Sequence, residues 1–148
     1  MTKNAPTVGP DPVEVVRQYL NCISDLDVDG AVAVVADDIV IEMPFANEGG
    51  TRLVQGEAAH SFLRLLPKLF TQMRFYDVVI HGLTATGYVV AEFKSDGITR
   101  RGGLYPNRYV ALFEVRDGKI ATLREYFDPN VLTTAFELKV PGASSQTE

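Results

Sequence analysis

The sequence predicts one α+β domain, a cone in which N-terminal helices pack on a strongly curved antiparallel sheet. Three observations carry that prediction. Apolar residues recur at helical spacing in the first half, and near residue 72 the pattern switches to a period of two. Three helices come first and a long meander of strands follows them, which is α+β order rather than βαβ alternation. Asp117-Gly118 lies between two alternating stretches, as a tight hairpin requires.

Each element has its own signal. Asp11-Pro12-Val13-Glu14 reads as a helix start, with an aspartate cap, proline at the first helical position and an acid three residues after the cap. Val13, Val16, Leu20 and Ile23 form its inward stripe, widened by Val15, Tyr19, Cys22 and Leu26. A shorter helix is expected to start at Asp27 to Asp29 and run through Ala36 to Asp37-Asp38, before a strand over 39–43 that Pro44 stops. Residues 45–55 are polar and contain glycine, and predict a loop. A third helix is expected over 57–70, with Phe62, Leu65, Leu66 and Leu69 inward and Pro67 distorting its end. Strands are expected near 73–81, 86–96, 103–116 and 119–128, with turns at 84–87, 95–97 and 116–119. A short helix follows Pro129, and residues 1–11 and 141–148 read as flexible tails.

The composition limits what such a domain does. The chain has 148 residues, 46% of them hydrophobic and 22% charged, enough for one core and a walled pocket. Fourteen basic residues against nineteen acidic ones give a net charge of −5, which argues against nucleic acid as the principal partner. One cysteine and two histidines argue against a disulfide or a zinc site. Phosphate-loop, dinucleotide-binding, HExxH and Gly-x-Ser-x-Gly motifs do not occur. With no signal-peptide core and no apolar run of about twenty residues, a cytoplasmic protein without cofactor, metal or membrane contact is expected. Its ligand would be a small molecule held in the open end of the cone.

Glu125 is the first candidate for chemistry. If Leu123, Glu125 and Phe127 face inward, the carboxyl sits among apolar groups, its pKa rises and it suits proton transfer near neutrality. In the opposite phase Tyr126 faces the core and Glu125 is solvated. Tyr105, Asn107, Tyr109, Ala111 and Phe113 share one side of the preceding strand, where an amide and two phenols either orient a carbonyl substrate or simply pack. Glu42 is either a second pocket acid or the solvent-side member of its strand. His60 is either a base or a surface residue. His81 is expected to be structural or exposed, Glu92 to point away from the hollow, Arg100 and Arg101 to meet water, and Cys22 to be a small core residue.

Val15-Val16-Arg17-Gln18-Tyr19, Asp27-Val28-Asp29-Gly30 and Ala36-Asp37-Asp38-Ile39-Val40-Ile41-Glu42-Met43-Pro44 resemble the N-terminal half of ketosteroid isomerases. Tyr105-Pro106-Asn107-Arg108-Tyr109, Phe113-Glu114-Val115, Gly118-Lys119-Ile120 and Arg124-Glu125-Tyr126-Phe127-Asp128 look closer to phenazine-biosynthesis A/B proteins and limonene-epoxide hydrolases. Together they resemble the nuclear-transport-factor-2-like superfamily, which implies one SnoaL-like domain over residues 12–136. Tyr19 falls near the oxyanion-hole tyrosine of ketosteroid isomerases. Met43 and Ala111, however, replace both of their acids, so that mechanism is not implied. The epoxide hydrolases' arginine and second aspartate fall near Phe93 and Ser95, while Glu42 lies near their water-holding asparagine. The phenazine-type pattern departs least: its acid–base glutamate matches Glu125, and its helix histidine aligns with Phe62, or with His60 after a small shift.

The resulting expectation is a cofactor-independent enzyme whose Glu125 acts as general acid/base on a carbonyl-bearing metabolite, in isomerisation, cyclisation or condensation within natural-product metabolism. Tyr19, Tyr105, Asn107, Tyr109, Glu42 and His60 are the candidate substrate contacts. The alternatives are an epoxide hydrolase and a non-catalytic dimeric ligand-binding module. A homodimer is expected in either case, because Val90, Val110 and Leu112 would otherwise leave an apolar outer face wet.

Overall fold

The structure is a computed structural model describing residues 9–47, 50–83 and 86–137. The turn expected at 84–87 therefore falls partly outside the described residues, as do residues 1–8 of one tail and the whole of the other. Helix α1 (Pro12–Ser24) begins where the aspartate–proline pair places it, with the Asp11 carboxylate accepting from Val13 N–H at 3.0 Å. Glu14 does not complete a capping box; it pairs with Arg17 at 3.4 Å. Val15, Val16, Tyr19, Leu20 and Ile23 are buried, and Val13, Cys22 and Leu26 pack at the edge of the same stripe. Helix α2 (Val28–Ala33) is capped by the Asp27 carboxylate on Gly30 N–H at 3.0 Å.

Strand β1 is where the expectation and the structure differ most. It spans Val35–Asn47, so α2 ends three residues early and Pro44 does not stop the strand. Pro44 lies inside the register shift between Met43 and Asn47, a place where a strand tolerates a missing N–H. The expected loop over 45–55 is instead largely a second strand, β2 (Gly50–Gln55), paired antiparallel with β1 from Val40↔Gln55 to Met43↔Arg52.

The third helix divides into α3 (Glu57–Arg64) and α4 (Leu66–Leu69), and the break falls just before Pro67. Its core contacts are Ala59 and Leu63; Phe62 and Leu66 are half-buried, while Leu65 and Leu69 are exposed. The remaining strands are β3 (Phe70–Gln72), β4 (Phe75–Gly82), β5 (Tyr88–Ser95), β6 (Gly97–Thr99), β7 (Leu104–Tyr105), β8 (Arg108–Arg116) and β9 (Lys119–Phe127). Helix α5 (Pro129–Phe136) follows the proline as expected, capped by Asp128.

Six strands form one sheet in the order β2-β1-β9-β8-β5-β4, and β3-β6-β7 form a small second sheet. Every pairing is antiparallel except β1 with β9, which run parallel from Val35↔Ile120 to Glu42↔Arg124 with a register shift between Val35 and Val40. The sheet bends at bulges. One extra residue is inserted in β4 between Tyr76 and Val79, where Asp77 has φ 50°, and another in β9 opposite Glu114 and Val115. The β8–β9 hairpin turns on Asp117 (φ 54°) and Gly118 (φ 76°), the left-handed pair that an Asp-Gly turn supplies. Helix α1 lies across the concave face and buries Tyr19 edge-on against Phe113, with ring centroids 6.0 Å apart. No described helix is long and apolar enough to cross a membrane.

Gly103 lets α5 seat on the small sheet, because a Cβ there would collide with the Ala135 carbonyl oxygen. Gly103→Ala is therefore expected to cost about 1–3 kcal/mol, the usual range for overpacking. Urea denaturation with an unchanged midpoint would contradict this seating.

Candidate functional site

The curled sheet leaves its concave face partly unfilled, and a cavity of about 360 Å³ opens between the sheet, α1, α3, α4 and α5. That volume holds roughly a dozen waters, or a small organic molecule of similar bulk. The wall is almost wholly apolar. Ile41 and Met43 of β1, Leu63 and Leu66, Phe75, and Leu132 and Phe136 of α5 supply most of it.

Glu125 stands within this wall. Strand β9 alternates as the inward reading requires: Leu123 and Phe127 are buried, and Arg124 is exposed on the opposite face. Across the ladder Glu125 faces Ala111, which in turn faces Ala91, and both alanines are fully buried. No described residue donates a hydrogen bond to the Glu125 carboxyl, and no described cation is paired with it. Among the described residues no sealed polar side-chain atom lacks a partner, so the unpartnered carboxyl must open on the cavity. Its remaining accessible surface belongs to the hollow. Burial alone pushes its pKa up from 4.5 to about 7, because nothing offsets the loss of solvent around the charged form.

Three phenols share the wall. Tyr19 makes no hydrogen bond to a described residue, so its hydroxyl also opens on the cavity. Tyr109 stacks on Phe93 at 4.6 Å, and its hydroxyl is 3.1 Å from Ser95 Oγ. Ser95 gives its single proton to the Tyr105 carbonyl at 3.1 Å, so the Tyr109 hydroxyl is the donor in that contact. The Tyr105 hydroxyl accepts from Asn107 Nδ2 at 3.1 Å, which leaves its own proton for a ligand or for the neighbouring phenol. Burial, reinforced by the negative charge of ionised Glu125, raises the pKa of Tyr19. Burial likewise pushes Tyr105 up to about 12 and raises Tyr109. All three therefore remain protonated hydrogen-bond donors at working pH.

The other three expected contacts lie elsewhere. Asn107 is buried, but its amide is committed to the protein. Its Nδ2 donates to Tyr105 and to the Asp128 carbonyl, and its Oδ1 accepts from the N–H groups of Arg108 and Asp128 at 2.8 and 3.0 Å. It pins the cap of α5 to the start of β8 and positions Tyr105. Glu42 faces outward in the alternation of β1 and pairs with Arg124 at 2.9 Å across the sheet. His60 bonds through Nε2 to the Ala36 carbonyl at 3.0 Å and ties α3 to β1. Phe62, the ungapped match to the phenazine-type histidine, is on the cavity wall instead. Cys22 is half-buried beside α2, and Glu92 and His81 pair on the outer face at 3.1 Å.

The sequence reading missed Arg52, because 45–55 was expected to be a loop. It also missed Leu132 and Phe136, which cover the cavity one helical turn apart. Asn47 and a glycine-rich stretch between two runs able to form strands were the available hairpin signal.

A cone-shaped α+β domain of this kind is the fold of the nuclear-transport-factor-2-like superfamily. Within that class the chain belongs to the SnoaL-like domain family, which matches residues 16–123. Epoxide hydrolase EphG of Mycobacterium tuberculosis is 33% identical over 115 residues, 76% of this chain and 70% of that protein. An uncharacterised PhzA/B-like protein of Pseudomonas aeruginosa is 29% identical over 118 residues, 78% of this chain and 83% of its own. A solved candidate isomerase from Bacillus subtilis superposes with a TM-score of 0.75 at 27% identity, covering 83% of this chain and 90% of that one.

A raised native pKa makes Glu125 a pH-dependent liability for folding. The native state holds its proton up to about pH 7, whereas the unfolded chain releases it near 4.5, so stability falls as pH rises between those values. Glu125→Gln should therefore match the parent near pH 4 and exceed it at pH 8, by on the order of 3 kcal/mol. Chemical denaturation at the two pH values checks this, and a gain independent of pH would contradict the burial of the charge.

Proposed function

We propose that the chain is a cofactor-independent enzyme in which Glu125 transfers a proton on a carbonyl-bearing small molecule. The observation that carries the reading is the Glu125 carboxyl itself, unpaired in an apolar cavity and held at a pKa of about 7. A group with that pKa is present in both protonation states near neutrality, which favours general acid–base catalysis. As carboxylate, Glu125 removes a proton from the carbon next to the carbonyl, and the electron pair moves onto the carbonyl oxygen. The resulting enolate oxygen accepts hydrogen bonds from Tyr19 and Tyr105, the two phenols with a proton to give. Glu125 then returns the proton to a different carbon, which completes an isomerisation, or the enolate carbon attacks a second carbonyl and Glu125 returns the proton to that carbonyl's oxygen, which closes a ring.

Epoxide opening by a water activated on Glu125 is the second reading, supported by the 33% identity to EphG. Against it, the positions that resemble that chemistry's arginine and second acid are Phe93 and Ser95, both buried in the core. The family position and the candidate isomerase favour the proton-transfer reading. A panel of enones, β-keto compounds and epoxides separates the two. On the best substrate Glu125→Gln should lower kcat by roughly 10²–10⁴-fold. The parent kcat should rise with pH through about 7 as the carboxylate forms. Ligand binding without turnover, or a rate unaffected by the substitution, would leave a binding module in place of an enzyme.

We also propose that two copies pair through the convex face of the sheet. Val79, Val110 and half-buried Tyr126 share one row across the sheet with Glu92 of β5, and with exposed Leu112 in the row beside it they form an apolar patch around the Glu92–His81 pair. An apolar surface of this kind is rarely left wet. Sedimentation at micromolar concentration should give twice the 16.3 kDa chain mass, and a monomer alone would overturn the pairing.

A further inference from the structure

The cavity's chemistry is uneven along its depth. Its depth holds Glu125, and its wall is apolar. Among the described residues the one cation on that wall is Arg52. Arg52 is the direct cross-strand partner of Met43, and directly opposed residues in an antiparallel pair project to the same face. Since Met43 lines the cavity, Arg52 is on the cavity side of the sheet. Unlike Met43 it is exposed, which places it at the opening. Its guanidinium sits over the Phe62 ring, 4.8 Å from the centroid, and Phe62 lines the same cavity from α3. Among the described residues no carboxylate pairs with Arg52.

The neighbouring surface has the same sign. A depression that shares Leu69 and Phe136 with the cavity is lined by Lys68, Arg100 and Arg101. Neither set of described lining residues contains an acid other than Glu125. In a chain with a net charge of −5, Arg52 on the cavity wall and Lys68 and Arg101 in the adjoining depression run against the overall balance, while the Arg100 guanidinium is committed to the Pro67 carbonyl at 2.7 and 2.8 Å.

We propose that the substrate carries a carboxylate which Arg52 binds at the cavity mouth, while its apolar body fills the hollow and its reactive carbonyl reaches Glu125. The choice of which end reacts rests on the acid–base reading above; the binding of the carboxylate does not. The orientation follows from charge. A carboxylate driven to the far end would be desolvated beside a second carboxyl, whereas at the mouth it keeps solvent and gains a planar donor fork. The contact of Arg52 with Phe62 holds that fork at the opening before ligand arrives.

Isothermal titration with 4-phenylbutyrate and its amide, 4-phenylbutanamide, tests this with shape held constant. The acid is expected to bind about tenfold tighter than the amide. Arg52→Gln, at an exposed position that leaves the core untouched, should remove that preference and leave the amide affinity unchanged. Glu125→Gln should keep or strengthen the preference. Equal affinities in the parent, no binding of the acid, or a preference that survives Arg52→Gln would each overturn the proposal. If the preference depends on Arg52 while Glu125→Gln leaves turnover intact, the carboxylate site stands and the acid–base mechanism falls. If turnover needs Glu125 but the acid has no advantage, the mechanism stands and the carboxylate site falls.

Discussion

A sheet that curls around a single helix encloses more space than that helix can fill, and the rest of this protein is arranged around the shortfall. Inserted residues in β4 and β9 sharpen the bend, and α1 occupies only part of the concave face. Large side chains could have closed the remainder. Instead the wall carries Glu125, whose ladder neighbours Ala111 and Ala91 are sealed in the core beside it. An apolar hollow with an acid in it is unfavourable for folding near neutral pH, since the charge has lost water and gained no partner. The core must therefore offset that cost. Aromatic packing around Phe75, Phe93, Tyr109 and Phe127, with centroids 4.6–6.1 Å apart, is concentrated on this side of the sheet.

The polar groups near the hollow divide into those that hold the structure and those left with unused capacity. Ser95 and Asn107 use their side-chain hydrogen bonds within the protein, and through Asp128 they fix where α5 starts. Since Leu132 and Phe136 of that helix cover the cavity, Asn107 acts on the ligand's surroundings rather than on the ligand. Tyr19 and Glu125 have the opposite character. Neither is bonded to a described residue, and both face the space a ligand would take.

Much of this was legible in the sequence because the signals are local. The aspartate caps, the proline starts, the Asp-Gly hairpin and the period of β8 and β9 each depend on a few adjacent residues. The alternation Leu123, Glu125, Phe127 was legible too, although period alone left its phase open. Residues whose role depends on distant partners were not legible. Nothing beside Asn107 in the chain announces Asp128, nothing near His60 announces the Ala36 carbonyl, and Glu42 finds Arg124 only when β1 lies against β9. The β1–β2 hairpin was missed because Pro44 and the following glycines favour a loop locally, while pairing and a register shift override that preference.

That override also gives the cavity its chemical gradient. Had 45–55 been a loop, as its composition suggests, Arg52 would have no fixed relation to the hollow. Pairing with Met43 before the register shift gives it one, whereas beyond the shift the alternation changes phase: Phe45 turns outward against Tyr126 at 5.6 Å, and Ala46 faces the cavity. The pairing therefore places the cation, and the bulge beyond it puts a small residue on the cavity side in place of an aromatic ring. With Glu125 deep inside and Arg52 at the mouth, the two ends of a bound molecule meet different environments. The end near the acid is stripped of water and can exchange a proton, and the end near the guanidinium keeps solvent and can carry charge. A ligand with one apolar, carbonyl-bearing end and one ionised end would thus be held in a single direction by the charges at the two ends of the cavity.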